Sequence, residues 1–365
     1  MPNIPLSRPK AVVFEQHCKS NIKSMQNKAQ SAGAVFRPHF KTHQSLEIGQ
    51  WFRDEGVTGI TVSTPEMAKY FASDSWDDIT IGFPFYSGQI HEINELTNHC
   101  SLKLFVHRPE DVRYLATELT NPVSIFIEIN AGYGRSGVNI YNSELIREII
   151  KACEESQKTR FYGFYIHDGD TYKVHGSSEV ESVIKRDFSA LNNLKKNWPD
   201  ASVSLGDTPS CSLLNEFPGI DELTPGNLVF YDLMQVNIGS CTYSQVGLLI
   251  KAPVAQLKPK SNECIIHGGA VHFSKDNIHM DGKQSYGQPV TVSDNGKIKP
   301  INGSSLVALS QEHGTVTGLK ELQNALGKNE LEEIWICPVH SCLTANLFKE
   351  YHTYSGSVIG KKVLS

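Results

Sequence analysis

No two cysteines stand in Cys-x-x-Cys spacing, no apolar run approaches the length of a membrane span, and no block of basic residues occurs. Each absence removes a class of protein. The eight cysteines, at 18, 100, 153, 211, 241, 264, 337 and 342, are scattered in a way that does not resemble a disulfide framework. Without roughly 20 consecutive apolar residues there is no transmembrane helix to expect. The opening residues Met1 to Arg8 carry no apolar signal core, so a reducing cytoplasm is the expected location. With 34 basic against 39 acidic side chains, net −5, neither nucleic acid nor anionic membrane is an expected partner. A Walker-type lysine loop is also missing. What remains is a chain of 365 residues with ordinary apolar content, long enough for a barrel plus a smaller domain.

From about residue 10 to 235 short β-rich runs alternate with helix-length patterns. The runs include Ala11–Phe14, Ala34–Phe36, Gly59–Val62, Asp78–Gly82, Leu102–Val106, Val123–Ile127, Phe161–Ile166, Ser202–Leu205 and Leu228–Tyr231. Helical patterns between them include Leu145–Glu155 and Glu179–Trp198. Repeated strand-then-helix units imply a parallel sheet, and about eight of them imply a closed (β/α)8 barrel with its chemistry at the carboxyl ends of the strands. From 236 to 365 helical periodicity largely gives way to short strands punctuated by Gly, Pro and Asn-Gly. The Asp294-Asn295-Gly296 step predicts a hairpin, and Leu319–Leu326 predicts a short helix. The second part is therefore expected to be a separate β-rich domain, with residues 1–9 packed against it.

Lys41 closes the segment Arg37-Pro38-His39-Phe40-Lys41-Thr42-His43, at the end of a strand-like run and between two histidines. Desolvation and nearby cations make a lysine amine available for carbonyl chemistry, although a strand-end lysine paired with a carboxylate would have the same composition. Gly132-Tyr133-Gly134-Arg135-Ser136-Gly137 satisfies Gly-x-Gly-x-x-Gly, but it lies in mid-series and not in an opening βαβ unit, which disfavours a dinucleotide site. In Gly163–Gly169, Tyr165 and His167 share a face opposite Phe164 and Ile166. Gly206–Ser210 and Pro225-Gly226-Asn227 are two late turns that small hydroxyls and backbone amides could turn into a phosphate cradle. His340 and Cys342 follow a β-rich run. If the strand continues, they face the same way and offer nitrogen plus sulfur, a donor pair that favours zinc.

The segment around Lys41 resembles the cofactor-lysine motif of the D-serine dehydratase and D-threonine aldolase family, pyridoxal-phosphate enzymes with the alanine racemase fold. Pro338-Val339-His340-Ser341-Cys342-Leu343-Thr344-Ala345-Asn346 is similar to that family's metal-binding segment. The resemblance implies that Lys41 holds pyridoxal phosphate covalently and then acts as the base, and that Arg135 contacts the ring or its phenolic oxygen. It further implies Tyr165 at the pyridine nitrogen, Thr208, Gly226 and Asn227 at the phosphate, and zinc or another divalent metal on His340 and Cys342. His313 in Gln311-Glu312-His313-Gly314 would line the site, whereas His267 and His272 read as structural. The implied substrate is a small β-hydroxy D-amino acid, D-serine first, and the implied assembly a homodimer. In this family His-x-Cys marks dehydratases and His-x-Asp the aldolases, so Cys342 tilts the reading toward dehydration. D-threonine-type aldol cleavage and D-threo-3-hydroxyaspartate as substrate are the alternatives. A racemase or a non-catalytic pyridoxal-phosphate carrier fits less well.

Overall fold

A computed structural model describes residues 6–362 except 281. It divides into two compact units, one from Lys23 to Gly226 and one combining the residues up to Ile22 with those from Asn227 onward.

The first unit holds eight parallel strands. In spatial order they are Val35–Phe36, Glu222–Leu223, Ser202–Leu205, Thr159–Ile166, Val123–Asn130, Ser101–Val106, Asp78–Pro84 and Gly59–Val62. The first and last are joined by a parallel bridge between His39 and Thr61, with Phe40 N donating to Thr61 O at 2.8 Å and Thr61 N to Pro38 O at 2.9 Å. The sheet therefore closes into the expected (β/α)8 barrel. Side chains at the strand-to-helix turns set where several helices begin. Thr64 caps Pro65–Ala72 by accepting from Met67 N at 3.1 Å, and Asp207 caps Thr208–Leu213 by accepting from Ser210 N at 2.8 Å. Inside the barrel Phe105, Phe126 and Tyr165 form one packed layer.

Two runs expected in the barrel fall elsewhere. Lys10–Val13 pairs antiparallel with Leu248–Lys258 and parallel with Glu350–Thr353, so it belongs to the other unit's sheet. Leu228–Tyr231 is no strand: Asn227–Val229 is a 3-10 turn, and Asp232 then caps the helix Leu233–Ile238. The barrel strand supplied in their place is the two-residue Glu222–Leu223.

The second unit is a ten-stranded sheet, antiparallel apart from the pairing of Lys10–Val13 with Glu350–Thr353. The eleven-residue strand Leu248–Lys258 pairs with Glu333–Pro338 on one edge and with Lys10–Val13 and then Glu263–His267 on the other, the last pairing interrupted by a bulge between Val254 and Gln256. The expected hairpin is present, with Val292 opposite Ile298 and Gly296 at φ +77, and so is the helix Leu319–Leu326. Of the residues expected to pack with this domain at the start of the chain, 1–5 lie outside the described residues. Among the described residues no helix is long and apolar enough to cross a membrane.

Candidate active site

Lys41 lies in the turn after Val35–Phe36, at the carboxyl end of the barrel. It is exposed, while the residues on either side of it, Phe36–Phe40 and Thr42–Ser45, are buried. The cation beside it is Arg135, since Lys41 and Arg135 both act on the two imidazoles nearby. His39 is fully buried, and burial together with Lys41, His167 and Arg135 holds its imidazole well below the ordinary histidine pKa. His167, whose Nδ1 lies 3.2 Å from Gly206 O, is held at about 3 by burial, by Arg135 and by Lys41, against the hydrogen bond to Gly206. Both imidazoles are thus neutral at pH 7. His43 points the other way, into the rings of Phe40, Phe52 and Phe71, and its Nδ1 accepts from Ser45 N at 3.2 Å.

Arg135 projects from a loop that requires its glycines. Gly132, Gly134 and Gly137 all have positive φ, and Asn130 Oδ1 accepts from Gly132 N and Gly134 N at 3.0 Å each. The guanidinium is 3.7 Å from the buried Glu128, whose Oε1 also accepts from Ser136 Oγ at 2.8 Å. Tyr165 is buried against Phe105, ring centroids 4.3 Å apart, and its phenol is pushed up by burial. Its Oη lies directly over Gly206, where a Cβ would overlap it.

The two late turns meet the requirements of a phosphate cradle. Gly226 presents a bare Cα to His39 and Thr42, and a Cβ there would come within 2.9 Å of His39 O. Thr208 opens a helical turn in which the Ser210 side chain is fully buried beside Asp207. Asp207, fully buried, is raised to about 6 by that burial despite hydrogen bonds from Ser210 and Thr171. A rim lysine, an arginine, a buried phenol, the buried hydroxyls of Thr208 and Ser210 and two bare glycines fit the polar groups of pyridoxal phosphate.

The side chain of Asn227 has a different commitment. Its Nδ2 donates to Asp232 at 2.5 Å, to Ser341 Oγ at 3.2 Å and to Cys342 Sγ at 3.5 Å, leaving its backbone for any phosphate. It therefore belongs with the second motif. The strand Glu333–Pro338 stops before His340, which precedes the helix Ser341–Asn346. His340 and Cys342 consequently do not converge through strand alternation, as the sequence spacing suggests. They meet at a strand-to-helix turn, hydrogen-bonded to each other. His340 Nδ1 lies 2.6 Å from Asp276 Oδ2. Burial lowers the pKa of this imidazole, but Asp276 and then Cys342 outweigh it and raise the pKa to about 11. A histidine with one nitrogen on a carboxylate and the other beside a thiol has the form of a zinc ligand with its outer partner in place. Asp276 and Asp232, which accepts from Ser341 N at 2.9 Å, have no spacing signature in the sequence. His313 is exposed, opposite His267 in the ladder between Glu263–His267 and His313–Thr317.

Known proteins carry the same two-part architecture. Residues 14–233 match the family model of the alanine racemase N-terminal domain, and residues 248–354 match that of a putative serine dehydratase domain. The chain belongs to the alanine racemase N-terminal domain family, with a serine dehydratase-type domain following it. It is 27% identical over 375 residues to D-serine dehydratase of Dictyostelium discoideum, covering 95% of this chain and 93% of that protein. It is 27% identical over 369 residues to D-threo-3-hydroxyaspartate dehydratase of Delftia sp. strain HT23, covering 97% and 96%. The solved structure of the Delftia enzyme superposes with a TM-score of 0.88 at 25% identity, over 100% of this chain and 99% of that one. D-threonine aldolase from Filomicrobium marinum, at 19% identity and a TM-score of 0.81 over 99% and 98%, shares the fold.

Proposed function

We propose that this protein is a lyase that eliminates water from a small β-hydroxy D-amino acid, with D-serine as the principal substrate and pyruvate and ammonia as products. The observation that carries this reading is the His340–Cys342 pair with Asp276 behind it, in a chain whose barrel rim has the residues for pyridoxal phosphate. A cysteine-to-alanine variant of a D-threo-3-hydroxyaspartate dehydratase has been solved in a metal-free form, which supports assigning a metal to such a cysteine.

In this reading Lys41, Arg135, Tyr165, Thr208, Gly226 and the backbone of Asn227 hold pyridoxal phosphate, and His340 and Cys342 hold zinc. Bound there, the cofactor supplies an electron sink for the charge left at Cα, and zinc supplies a Lewis acid that makes hydroxide a feasible leaving group. Lys41 Nζ removes the Cα proton. The exposed Arg135 guanidinium orients an anionic group, tethered by Glu128. Tyr165, kept protonated by burial, donates or accepts one hydrogen bond without adding charge. The neutral His39 and His167 line the rim without competing as cations. Asp276 fixes the ring of His340 and so directs its other nitrogen. The functional assembly is proposed to be a homodimer.

The deciding experiment incubates the purified, cofactor-loaded protein with D-serine, D-threonine and D-threo-3-hydroxyaspartate, with and without a chelator. Pyruvate from D-serine that is lost on chelation and restored by zinc is the expected result. Glycine and acetaldehyde from D-threonine would overturn the proposal in favour of an aldolase. Oxaloacetate formed much faster than pyruvate would move the substrate to the hydroxyaspartate.

A further inference from the structure

His267 and His272 stand in one short segment and Glu312 in another, and one ligand atom from each falls within 4.8 Å of the other two. His267 Nε2 is 3.5 Å from Glu312 Oε2, and His272 Nδ1 is 3.9 Å from the same oxygen. Both separations exceed a normal hydrogen bond, and His272 Nδ1 is buried with no hydrogen-bond partner among the described residues. A histidine kept only for packing would turn its nitrogen to a donor or acceptor at about 3 Å. Here two imidazoles instead face one carboxylate oxygen. At 3.5 and 3.9 Å these two separations lie just outside the ~3.3–3.4 Å edge of a tetrahedron whose centre is about 2.0–2.1 Å from each ligand, so an ion would draw the three groups slightly together.

We propose that these three side chains form a second transition-metal site, of zinc type, with an open position for water. Two imidazoles and a carboxylate are a borderline-soft donor set that suits zinc and discriminates against magnesium and calcium. The scaffold is rigid, as a preformed site requires. His267 ends the strand Glu263–His267, His272 sits in the short helix Ala270–Phe273, and Glu312 precedes the strand His313–Thr317. Gly268 N donates to Glu312 O and Ala270 N to Ser310 O, both at 2.8 Å, and Gly269 approaches Gln311 O so closely that a Cβ would overlap it. Burial, outweighing the nearby Glu312, lowers the pKa of His272, and the neutral imidazole is the form that ligates.

An ion here would brace the segment that leads to Asp276. Phe273 O already accepts from Thr344 Oγ1 at 3.1 Å, in the helix that carries Cys342. The site is therefore a support behind His340, separate from its ligands, and its existence does not depend on the reaction proposed above.

The test counts zinc. Full-length protein is stripped with chelator, dialysed against free zinc and assayed for metal per chain. The variants are His272→Gln, Glu312→Gln, the double variant His340→Asn/Cys342→Ser, and the combination of that double variant with His272→Gln. Two zincs are expected in the wild type, one after His272→Gln, one in the double variant and none in the combination. Glu312→Gln, a surface change, should weaken the same zinc by at least the ~10–100-fold that loss of an outer-shell partner costs. Anomalous diffraction at the zinc edge gives the position, so a variant that folds poorly does not decide the matter. No zinc in the double variant, or no anomalous peak at His267 and His272, would overturn this site. A zinc that survives in the double variant but was never bound by His340 and Cys342 would leave this site standing and remove the other.

Discussion

At the amino-terminal ends of the barrel strands, charge is paired off. Arg37 is held between Asp78 at 2.6 Å and Glu222 at 3.2 Å, Lys103 pairs with Asp78 at 2.5 Å, and Tyr162 donates to Glu222 at 3.2 Å. At the carboxyl ends Lys41, Arg135, His39 and His167 crowd together, and the carboxylate beside Arg135 stands off at 3.7 Å. Both ends contain cations, histidines or phenols in a largely apolar barrel, so composition does not distinguish them. Their pairing does. A buried network with its partners present closes one end of the barrel, whereas an excess of cationic and depressed-pKa groups marks a place prepared for an anion and for proton transfer. Arg37 makes the contrast within one motif. It stands four residues before Lys41, yet its guanidinium serves the opposite end of the barrel.

The sharpest way to break this contrast is Lys41→Ala. Turnover of D-serine should fall by at least about 10³-fold with thermal stability unchanged, and the absorbance of covalently held cofactor should disappear. Persistence of that absorbance would show that another amine holds the cofactor. At the other end Arg37→Met should do the reverse. Leaving Asp78 and Glu222 without their cation should cost about 3–5 kcal/mol in denaturant unfolding, with the turnover of folded protein retained. Gly206→Ala, which drives a methyl group into Tyr165 Oη, should cost about 1–3 kcal/mol and reduce activity. Adding Tyr165→Phe should return part of that stability, and strict additivity of the two changes would refute the contact.

The smallest effect is a pH dependence. His167 titrates near 3 when folded and near its ordinary value of 6.5 when unfolded. Below pH 6.5 the unfolded chain therefore takes up a proton that the native state refuses. Stability is lost as pH falls, by about 1 kcal/mol between pH 7 and 5.5. Asp207, raised to about 6, works in the opposite direction, and the depressed His39 in the same one, so the wild-type profile sums several groups. The difference between wild type and His167→Asn isolates the histidine: the variant should gain about 1 kcal/mol relative to wild type over that interval. Parallel profiles would mean that His167 is not held neutral.

The sequence made the long alternating strands and helices legible because period and length agree there, as in Thr159–Ile166 and Ser143–Glu154. It hid Glu222–Leu223, which is too short to have a period. It misplaced Lys10–Val13, since an apolar run does not declare which sheet it enters. The motif residues Lys41, Arg135, Tyr165, His340 and Cys342 stood out through their neighbours. Asp276, Asp232 and Glu312 did not, because they reach their partners from 64, 109 and 45 residues away, respectively, with no fixed spacing. The strand argument for His340 and Cys342 selected the right pair through the wrong geometry, since residues two apart also converge where a strand turns into a helix.

Lys10–Val13 also sets a timetable. It is made first, but its partners Leu248–Lys258 and Glu350–Thr353 are among the later segments to leave the ribosome. At about 5–20 residues per second, Lys10 waits on the order of ten to fifty seconds for Lys251. The barrel strands, all between Val35 and Leu223, are complete within that interval. The early apolar strand therefore has neither of its native strand partners until the whole barrel has been synthesised, and its buried face stays open to wrong pairing for that interval.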